Sequence, residues 1–377
     1  MKAKAQVAAE LSWAQVHAMR LERHHLLRRA PKKDLAKVVG DISGVQAQVM
    51  SAAELQIAVR VDCTVDDVRK ALWKDKTLVK TWMMRGTLHL IPGKDLPLYT
   101  AATSRRWVRI NNTWLKFMQV TEPEVWQLVD SMGAALNGTP MSREELIDKV
   151  AKDEPARVRA ALKSGWGGML KPAARNGMLC FGPSRGQNVT FVRPAEWLGS
   201  WRKVDPEDAL VDVARRYLRT YGPSTKEDFA RWWGSWSGVG VAAWAGLQKE
   251  LATVSVEGYK AQMLAADLEK LPTPSTDMSV QLLPNFDPYL MGHGNRDHLF
   301  DPKHRWKVSR VAGWISPVVL ADGKVLGTWA YAVAGKTLRI TVDPFKSLPA
   351  NVKAEVRARA ASIASALDLS KTEVKFA

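Results

Sequence analysis

Residues 77–92 (TLVKTWMMRGTLHLIP) limit the possible folds of this chain more than any other segment. They are rich in Thr, Val, Leu, Ile and Trp, with Arg85-Gly86 near the middle, which predicts two β-strands joined by a turn. Helices are predicted ahead of them at residues 12–29, 34–39, 45–61 and 68–73. Short helices followed by a strand pair are the order of a winged helix, which places one helix in the DNA major groove and can touch phosphates with its wing.

The same order of elements is predicted twice more along the chain. Helices at 121–136 and 142–152, the latter with a capping box of Ser142 and Glu145, precede a hairpin at 177–194 with Gly182-Pro183 and Arg185-Gly186 in its loop. Helices at 206–221 and 224–233 precede a hairpin at 253–264 that turns at Glu257-Gly258. The pattern indicates a repeat of structure without a repeat of sequence.

The C-terminal part of the chain has a different character. A Pro/Ser/Thr linker at 270–279 leads into residues 280–342, which are predicted mostly as strands with a turn at Asp322-Gly323, and a last helix is predicted at 351–367. The predicted fold class is therefore α+β, with mainly helical tandem winged-helix modules and a β-rich C-terminal region. The predicted modules are residues 1–110, 111–204 and 205–270, followed by the β-rich domain at 271–377.

The charge of the chain favours a polyanionic partner. The chain has 55 Lys and Arg against 38 Asp and Glu, a net charge of +17, and residues 1–110 hold 20 basic and 10 acidic residues. Such a field attracts nucleic acid. Charge alone favours nucleic acid only slightly over a merely soluble basic protein, and a ribosome-associated protein or a protein of the membrane surface stays open as an alternative.

Other features narrow the class of protein. Cys63 and Cys180 are far apart and have no partners at metal-ligand spacing, so reduced thiols are predicted. The sequence shows no secretory signal and no run of 18 apolar residues, which predicts a cytoplasmic protein. The spacings of His24-His25 and of His293, His298 and His304 match no zinc motif, and no Gly-Lys-Ser/Thr follows the glycines at 165–168. Neither a metal nor a nucleotide cofactor is predicted.

Several polar residues are candidates for a site. Gln46 and Gln48 are two amides two residues apart, a pair that on its own is more often solvated or capping. Arg85 can face phosphate or form a structural salt bridge, and His89, between Leu88 and Leu90, can be a buried hydrogen-bonded histidine or a site residue. Asp287 is expected to hold Arg296 or Arg305.

A second set of candidates would contact DNA. Arg105, Arg106 and Arg109 form a basic cluster that can bind phosphates, although a solvated helix face is the alternative. The hairpin that contains Asp322, Gly323 and Lys324 can probe the duplex, or it can simply be part of a sheet.

Several longer segments resemble one family. GVQAQVMSAAELQIAVR, WMMRGTLHLIPGKDLPLY, LLPNFDPYLMG and GWISPVVLADGKVLGTW, in this order within residues 12–345, are similar to the AlkZ family and its relative YcaQ. The resemblance implies a winged-helix DNA glycosylase that excises alkylated bases, including those of interstrand crosslinks. The family signature is Gln, an apolar residue, then Gln or Asp, and it falls here on Gln46, Ala47 and Gln48, as in the AlkZ type.

The chemistry of two amides suits only some lesions. A glutamine is neutral and is no true general base, but an N7-alkylated purine is already cationic and leaves without protonation. The amide oxygens of Gln46 and Gln48 then need only to hold a water and to stabilise the oxocarbenium-like sugar. This predicts hydrolysis to an abasic site, slow excision of neutral lesions such as uracil, and no lyase step, because a Schiff base requires an amine.

The predicted partner is double-stranded DNA that carries alkylated purines, bound in the nucleoid by a monomer without cofactor or metal. Two alternatives stay open at this point. A winged-helix regulator with structural amides would prefer one DNA sequence. A protein that sequesters a DNA-reactive natural product would bind the free small molecule and excise nothing.

Overall fold

The computed structural model describes residues 6–104, 106–107, 110–163, 167–273 and 278–377. The N-terminal part contains strands β1 (Ala9–Leu11), β2 (Ala30–Pro31), β3 (Val45–Gln46), β4 (Val61–Asp62), β5 (Leu78–Trp82) and β6 (Leu88–Pro92). Its helices are α1 (Trp13–Arg23), α2 (Leu35–Asp41), α3 (Met50–Ala58), α4 (Val65–Trp73) and α5 (Leu96–Ala102).

The first unit runs from α2 to β6. Strands β3, β6 and β5 lie side by side in that order and are antiparallel, and apolar side chains of α2, α3, α4 and the strands form one core below them. The predicted strand pair at 77–92 is present. The prediction of a continuous helix over 45–61 is wrong at its start, because the backbone of Val45 and Gln46 pairs with β6 and helix α3 begins only at Met50.

Two helices in this part begin at a side-chain cap, whereas α2 does not. Ser12 and Thr64 both form capping boxes at the starts of α1 and α4. Asp34 stands at the start of α2 as predicted, but its side chain makes no capping hydrogen bond. A single 3₁₀ turn at Lys32–Asp34 leads into α2 and leaves Asp34 with φ −93° and ψ 8°, outside the extended conformation of a capping residue.

The second unit repeats this order of elements. It contains α6 (Asn112–Met118), α7 (Glu122–Ala135), β7 (Met141–Ser142), α8 (Arg143–Val150), α9 (Ala156–Lys163), α10 (Leu170–Arg175), β8 (Cys180–Arg185), β9 (Asn188–Val192) and α11 (Pro194–Leu198). The sheet order β7-β9-β8 matches that of the first unit. Ser142 forms the predicted capping box. Gly182-Pro183 lie within β8 at a bulge, not in the loop, since the turn falls between Arg185 and Asn188.

The third unit contains α12 (Pro206–Tyr221), α13 (Lys226–Trp233), α14 (Ser237–Leu247), β10 (Leu251–Val256), β11 (Tyr259–Leu264) and the short α15 (Ala265–Leu268). Ser224 bridges to Gln262 in β11 and stands where the first strand of the other units lies. Strand β1 pairs with β10 in parallel, so the N-terminal strand lies beside this unit and not beside the first. The four domain boundaries given above stay a prediction.

The C-terminal region is a five-stranded sheet covered by a helix. Its elements are β12 (Val280–Leu283), α16 (Pro288–Met291), α17 (Arg305–Val308), β13 (Val318–Ala321), β14 (Lys324–Ala334), β15 (Thr337–Pro344), α18 (Ala350–Ala366) and β16 (Lys371–Phe376), with the strands in chain order across the sheet. The prediction of mostly strands over 280–342 is wrong for residues 284–317, which are loops and short helices. Asp287-Pro288 and Asp301-Pro302 each begin a short helical turn there.

Candidate functional site

The two amides of the signature lie on one side of the chain at the end of β3. Gln46 pairs in register with His89 of β6, and the Ala47 amide donates a hydrogen bond to the Leu88 carbonyl. Ala47 is fully buried in the core of the first unit. Since side chains alternate along an extended chain, Gln46 and Gln48 lie on the opposite side, Gln46 with 7% of its surface exposed and Gln48 exposed.

Arg85 anchors the turn between β5 and β6 beside Gln46. Its Nη1 donates a 2.8 Å hydrogen bond to the Trp232 carbonyl, and its Nη2 lies 3.5 Å from Gln46 Oε1. Its backbone has φ 56°, in the left-handed region. Gly234 packs so closely that a Cβ atom there would lie 2.4 Å from the Arg85 Cα. The guanidinium therefore joins the first unit, the third unit and the amide motif.

Further arginines lie around Arg85. Burial, together with the nearby charges of Arg85, Arg305 and Arg231, lowers the pKa of Arg296 to about 10. The guanidinium of Arg296 donates to the Leu290 carbonyl and to Ser309 Oγ, which holds the side chain in place. We call Arg85, Arg231, Arg296 and Arg305 the arginine cluster. Arg231 pairs with Asp228 and Arg305 with Asp297. Among the described residues Arg85 and Arg296 have no carboxylate partner, so an anion such as a phosphate beside them would relieve their repulsion.

His89 is buried behind the motif. Its Nδ1 is 3.0 Å from the Thr87 carbonyl, so Nδ1 carries the proton and donates to that oxygen. Burial, with a smaller contribution from Arg85, lowers the pKa of His89 to about 3. The ring is thus neutral near pH 7, and His89 is a buried, hydrogen-bonded histidine that lies opposite Gln46. Its role as a site residue stays a prediction.

A buried ion pair supports the motif from the C-terminal side. Gln56 Nε2 donates to the Asn285 carbonyl at 2.7 Å and to the Gln46 carbonyl at 3.4 Å. Arg60 lies four residues after Gln56, just past the end of α3. It forms two hydrogen bonds of 2.8 and 2.6 Å with Asp287, and both side chains are fully buried. The prediction that Asp287 holds Arg296 or Arg305 is wrong in the partner, because the carboxylate of Asp287 pairs with the guanidinium of Arg60.

The remaining predicted DNA contacts lie elsewhere. Arg106 is exposed and forms an ion pair with Glu207 at the start of α12, while Arg105 and Arg109 lie outside the described residues. At the Asp322-Gly323 turn, Asp322 accepts from the Ser279 amide and the Gly323 carbonyl accepts from the Tyr289 hydroxyl. A Cβ on Gly323 would lie 2.4 Å from His17, so this turn packs against α1 while Lys324 beside it is exposed.

Comparison with known proteins identifies the family. The family described as DNA glycosylase AlkZ-like matches residues 39–366. The chain belongs to the AlkZ-like DNA glycosylase family. A protein of Streptomyces sahachiroi named an interstrand DNA cross-link repair glycosylase is 38% identical over 373 residues, which are 97% of this chain and 99% of the relative. The predicted family and the DNA glycosylase activity are confirmed.

A solved structure carries the same fold. Streptomyces sahachiroi DNA glycosylase AlkZ matches with a TM-score of 0.87 and 36% sequence identity, over 98% of this chain and 100% of that chain. The likeness confirms the predicted α+β class. In this AlkZ-like chain, no helix among the described residues is long and apolar enough to cross a membrane.

The arginine cluster was missed in the sequence apart from Arg85. Arg231 lies in α13, and Arg296 and Arg305 lie in the irregular region after β12, so Arg231 is separated from the other two by more than 60 residues in sequence. No local pattern marks them as a group. The one available signal was the surplus of basic residues in the C-terminal region. Over the part of the chain that is described, no hydrogen bond joins a carboxylate to Gln46 or Gln48.

Proposed function

We propose that this AlkZ-like protein is a monofunctional glycosylase that hydrolyses the N-glycosidic bond of cationic N7-alkylated purines in double-stranded DNA and leaves an abasic site. The observation that carries the proposal is the placement of Gln46 and Gln48 on the side of the chain opposite the buried Ala47, next to the arginine cluster. A motif that was only structural would turn both amides into the core.

The arrangement suits a leaving group that already bears a positive charge. Gln46, nearly buried, is held from one side by Arg85 and has its backbone carbonyl bonded by Gln56. Gln48, exposed, is free to meet the sugar. Two amide oxygens placed in this way orient a water and offer partial negative charge to the developing oxocarbenium ion without any proton transfer to the base. Because the motif supplies no strong base, neutral lesions are poor substrates.

The arginine cluster has the task of holding the DNA backbone. Arg85, beside the motif, and the other members of the cluster are expected to neutralise phosphates, and each contact adds to the salt dependence of binding. When a phosphate takes over the guanidinium of Arg85, the oxygen of Gln46 is released from its 3.5 Å contact and becomes available to the substrate. DNA binding and the orientation of the amide are in this way coupled.

Crosslink unhooking is part of the proposal. The Streptomyces sahachiroi relative is named for interstrand cross-link repair, and a tethered purine cannot leave the helix freely, so its bond must be cut in place. We infer that the three units with the order helix, strand, helix, helix, hairpin are winged-helix modules that grip the duplex from several sides. The turn of β14 and β15 at Gly335-Lys336 is exposed, whereas the Asp322-Gly323 turn packs against α1.

The test is excision from a defined substrate. The protein is incubated with a duplex that contains a single N7-methylguanine, and with a matched duplex that contains uracil, followed by alkali and a denaturing gel. Alkali-dependent cleavage at the methylguanine only is expected, with no cleavage before alkali. Equal cleavage of both lesions, or binding without cleavage, would refute the proposal; the second result, combined with sequence preference, would indicate a DNA-binding regulator.

A further inference from the structure

A cleft of about 420 Å³ opens between the second and third units. Its walls include an asparagine, a serine, three tryptophans and an arginine, namely Asn111, Ser235, Trp107, Trp233, Trp236 and Arg175. A space of this size, with aromatic walls and a few polar groups, is typical of a pocket for a small planar ligand.

The cleft adjoins the amide motif. Gly234, in its wall, packs directly against the backbone of Arg85, and the carbonyl of Trp232 accepts from the Arg85 guanidinium. The turn that carries Arg85 and the loop that carries Trp236 are thus one packed unit. A ligand in the cleft lies on the far side of this contact from Gln46.

Arg175 is the feature of the cleft that requires explanation. It ends α10, where its carbonyl accepts a 2.8 Å hydrogen bond from Thr103 Oγ1. Its Nε is buried and has no hydrogen-bond partner, and no ion pair or hydrogen bond to its guanidinium is found within the described residues. Burial lowers the pKa of Arg175, and no nearby acid offsets it. The side chain as a whole is half-buried, and a partly desolvated cation without a counter-charge attracts an anion, so the place of Arg175 in the wall of the cleft favours an anionic ligand.

The tryptophans supply a surface for a ring. Trp107 is fixed by a 2.9 Å hydrogen bond from its Nε1 to the Pro206 carbonyl. Trp236 has 41% of its surface exposed at the mouth of the cleft, and Trp233 forms its buried floor. Aromatic side chains next to an arginine are the usual platform for an unstacked nucleobase and its phosphate.

We propose that the cleft binds one nucleotide of the same DNA molecule, displaced from the stack near the lesion, with its phosphate on Arg175 and its base against Trp107 and Trp236. The inference rests on the proposed function, because that function brings DNA to this face. It adds a second site to the amide motif: the lesion is cut where it lies, while a neighbouring or opposite nucleotide is held outside the helix.

The test compares two duplexes that carry a tetrahydrofuran abasic analogue at the lesion position. One is fully paired, and the other has a single unpaired nucleotide beside the analogue. The wild-type protein is expected to bind the second about tenfold more tightly, as one stacked base and one phosphate contact would give. Arg175→Gln removes the cation, and Ser235→Trp fills the cleft. Each variant should abolish this preference and leave binding of the paired duplex within about twofold of the wild-type value.

Controls separate the possible explanations. Arg202→Gln removes an exposed arginine outside the cleft and should keep the preference. Thermal melting of each variant checks folding, and Ser235→Trp, at a partly exposed position, covers the case in which Arg175→Gln does not fold. Competition with deoxyadenosine monophosphate is expected to weaken the preference, because a free nucleotide would occupy the same cleft.

Two other results would also overturn it. Equal wild-type affinity for both duplexes would mean that no displaced nucleotide is bound. An equal loss of affinity for both duplexes in Arg175→Gln would make Arg175 a general backbone contact. Excision of N7-methylguanine by the wild-type protein is measured in parallel: failure there refutes the proposed function and leaves the preference for the unpaired nucleotide as a separate result.

Discussion

Gln46 Oε1 and Arg85 Nη2 lie 3.5 Å apart, at the outer limit of a hydrogen bond, while the same guanidinium is held firmly at 2.8 Å by the carbonyl of Trp232. The contact between Arg85 and Gln46 is therefore the weaker of the two and the one that can break. Arg85 orients the deep amide before DNA arrives, and its guanidinium remains able to turn towards a phosphate without losing its anchor.

The substitution Arg85→Gln is expected to affect binding and excision together. Loss of the guanidinium removes about one phosphate contact, so the dependence of log K on log salt should become shallower by about 0.9, and excision should fall about tenfold because Gln46 loses its orientation. Salt titrations of duplex binding and single-turnover excision measure the two effects. An unchanged salt slope would mean that Arg85 touches no phosphate.

The buried pair of Arg60 and Asp287 is expected to dominate local stability. Asp287→Ala leaves a buried guanidinium without a partner, which costs about 3–5 kcal/mol of the free energy of unfolding. Asp301→Ala is a matched control, because Asp301 also precedes a proline and caps a helical turn but is exposed; its loss should cost about 1 kcal/mol. Urea unfolding measures both, and similar losses would contradict the account.

The stability of the protein should decline below neutral pH. Burial lowers the pKa of His17 and His89 to about 3 and of His293 to about 4, against an ordinary value of 6.5. Below pH 6.5 these histidines take up protons in the unfolded chain but stay neutral in the folded chain. Their full contribution to the free energy of unfolding is therefore present above that pH and is lost as the pH drops towards 4. At pH 5.5 each histidine costs about 1.4 kcal/mol.

Urea titrations at pH 7.5 and pH 5.5 check this expectation. The variant His89→Gln, which keeps a hydrogen-bonding side chain but cannot titrate, should lose less stability between the two pH values than the wild-type protein. A free energy of unfolding that is equal at both values would show that these histidines are protonated in the folded state.

Excision is expected to be independent of pH between about 6 and 8. The amides of Gln46 and Gln48 do not titrate, and the pKa of His89 lies near 3, far below this range. Single-turnover rates on N7-methylguanine, measured over this range, test it. A bell-shaped profile with an inflection between pH 6 and 7 would indicate a titrating group in the chemical step.

Local sequence patterns predicted those elements whose structure depends on residues close in sequence. The hairpins at 77–92 and 253–264, the capping box of Ser142 and the last helix all follow from short-range rules. The strand at Val45–Gln46 was missed, because its hydrogen bonds go to β6, about 40 residues on, and override an apolar run that is compatible with a helix.

The site divides in the same way. Gln46 and Gln48 could be singled out from one short segment and its resemblance to a family, and the alternation around buried Ala47 sets their direction. The arginine cluster, the pairing of Arg60 with Asp287 and the unpartnered Arg175 depend on contacts between units distant in sequence. Motif-spacing rules apply to residues close in sequence, so they do not predict these contacts.

The most direct test of the account is the rate at which Gln48→Ala excises N7-methylguanine. Gln48 is exposed, so its loss should leave the fold intact, and Gln248→Ala removes another exposed glutamine as a control. We expect single-turnover excision to fall by about 10²-fold in Gln48→Ala, with DNA affinity and the control variant unchanged. Excision at the wild-type rate would contradict the claim that neutral amides carry the chemistry.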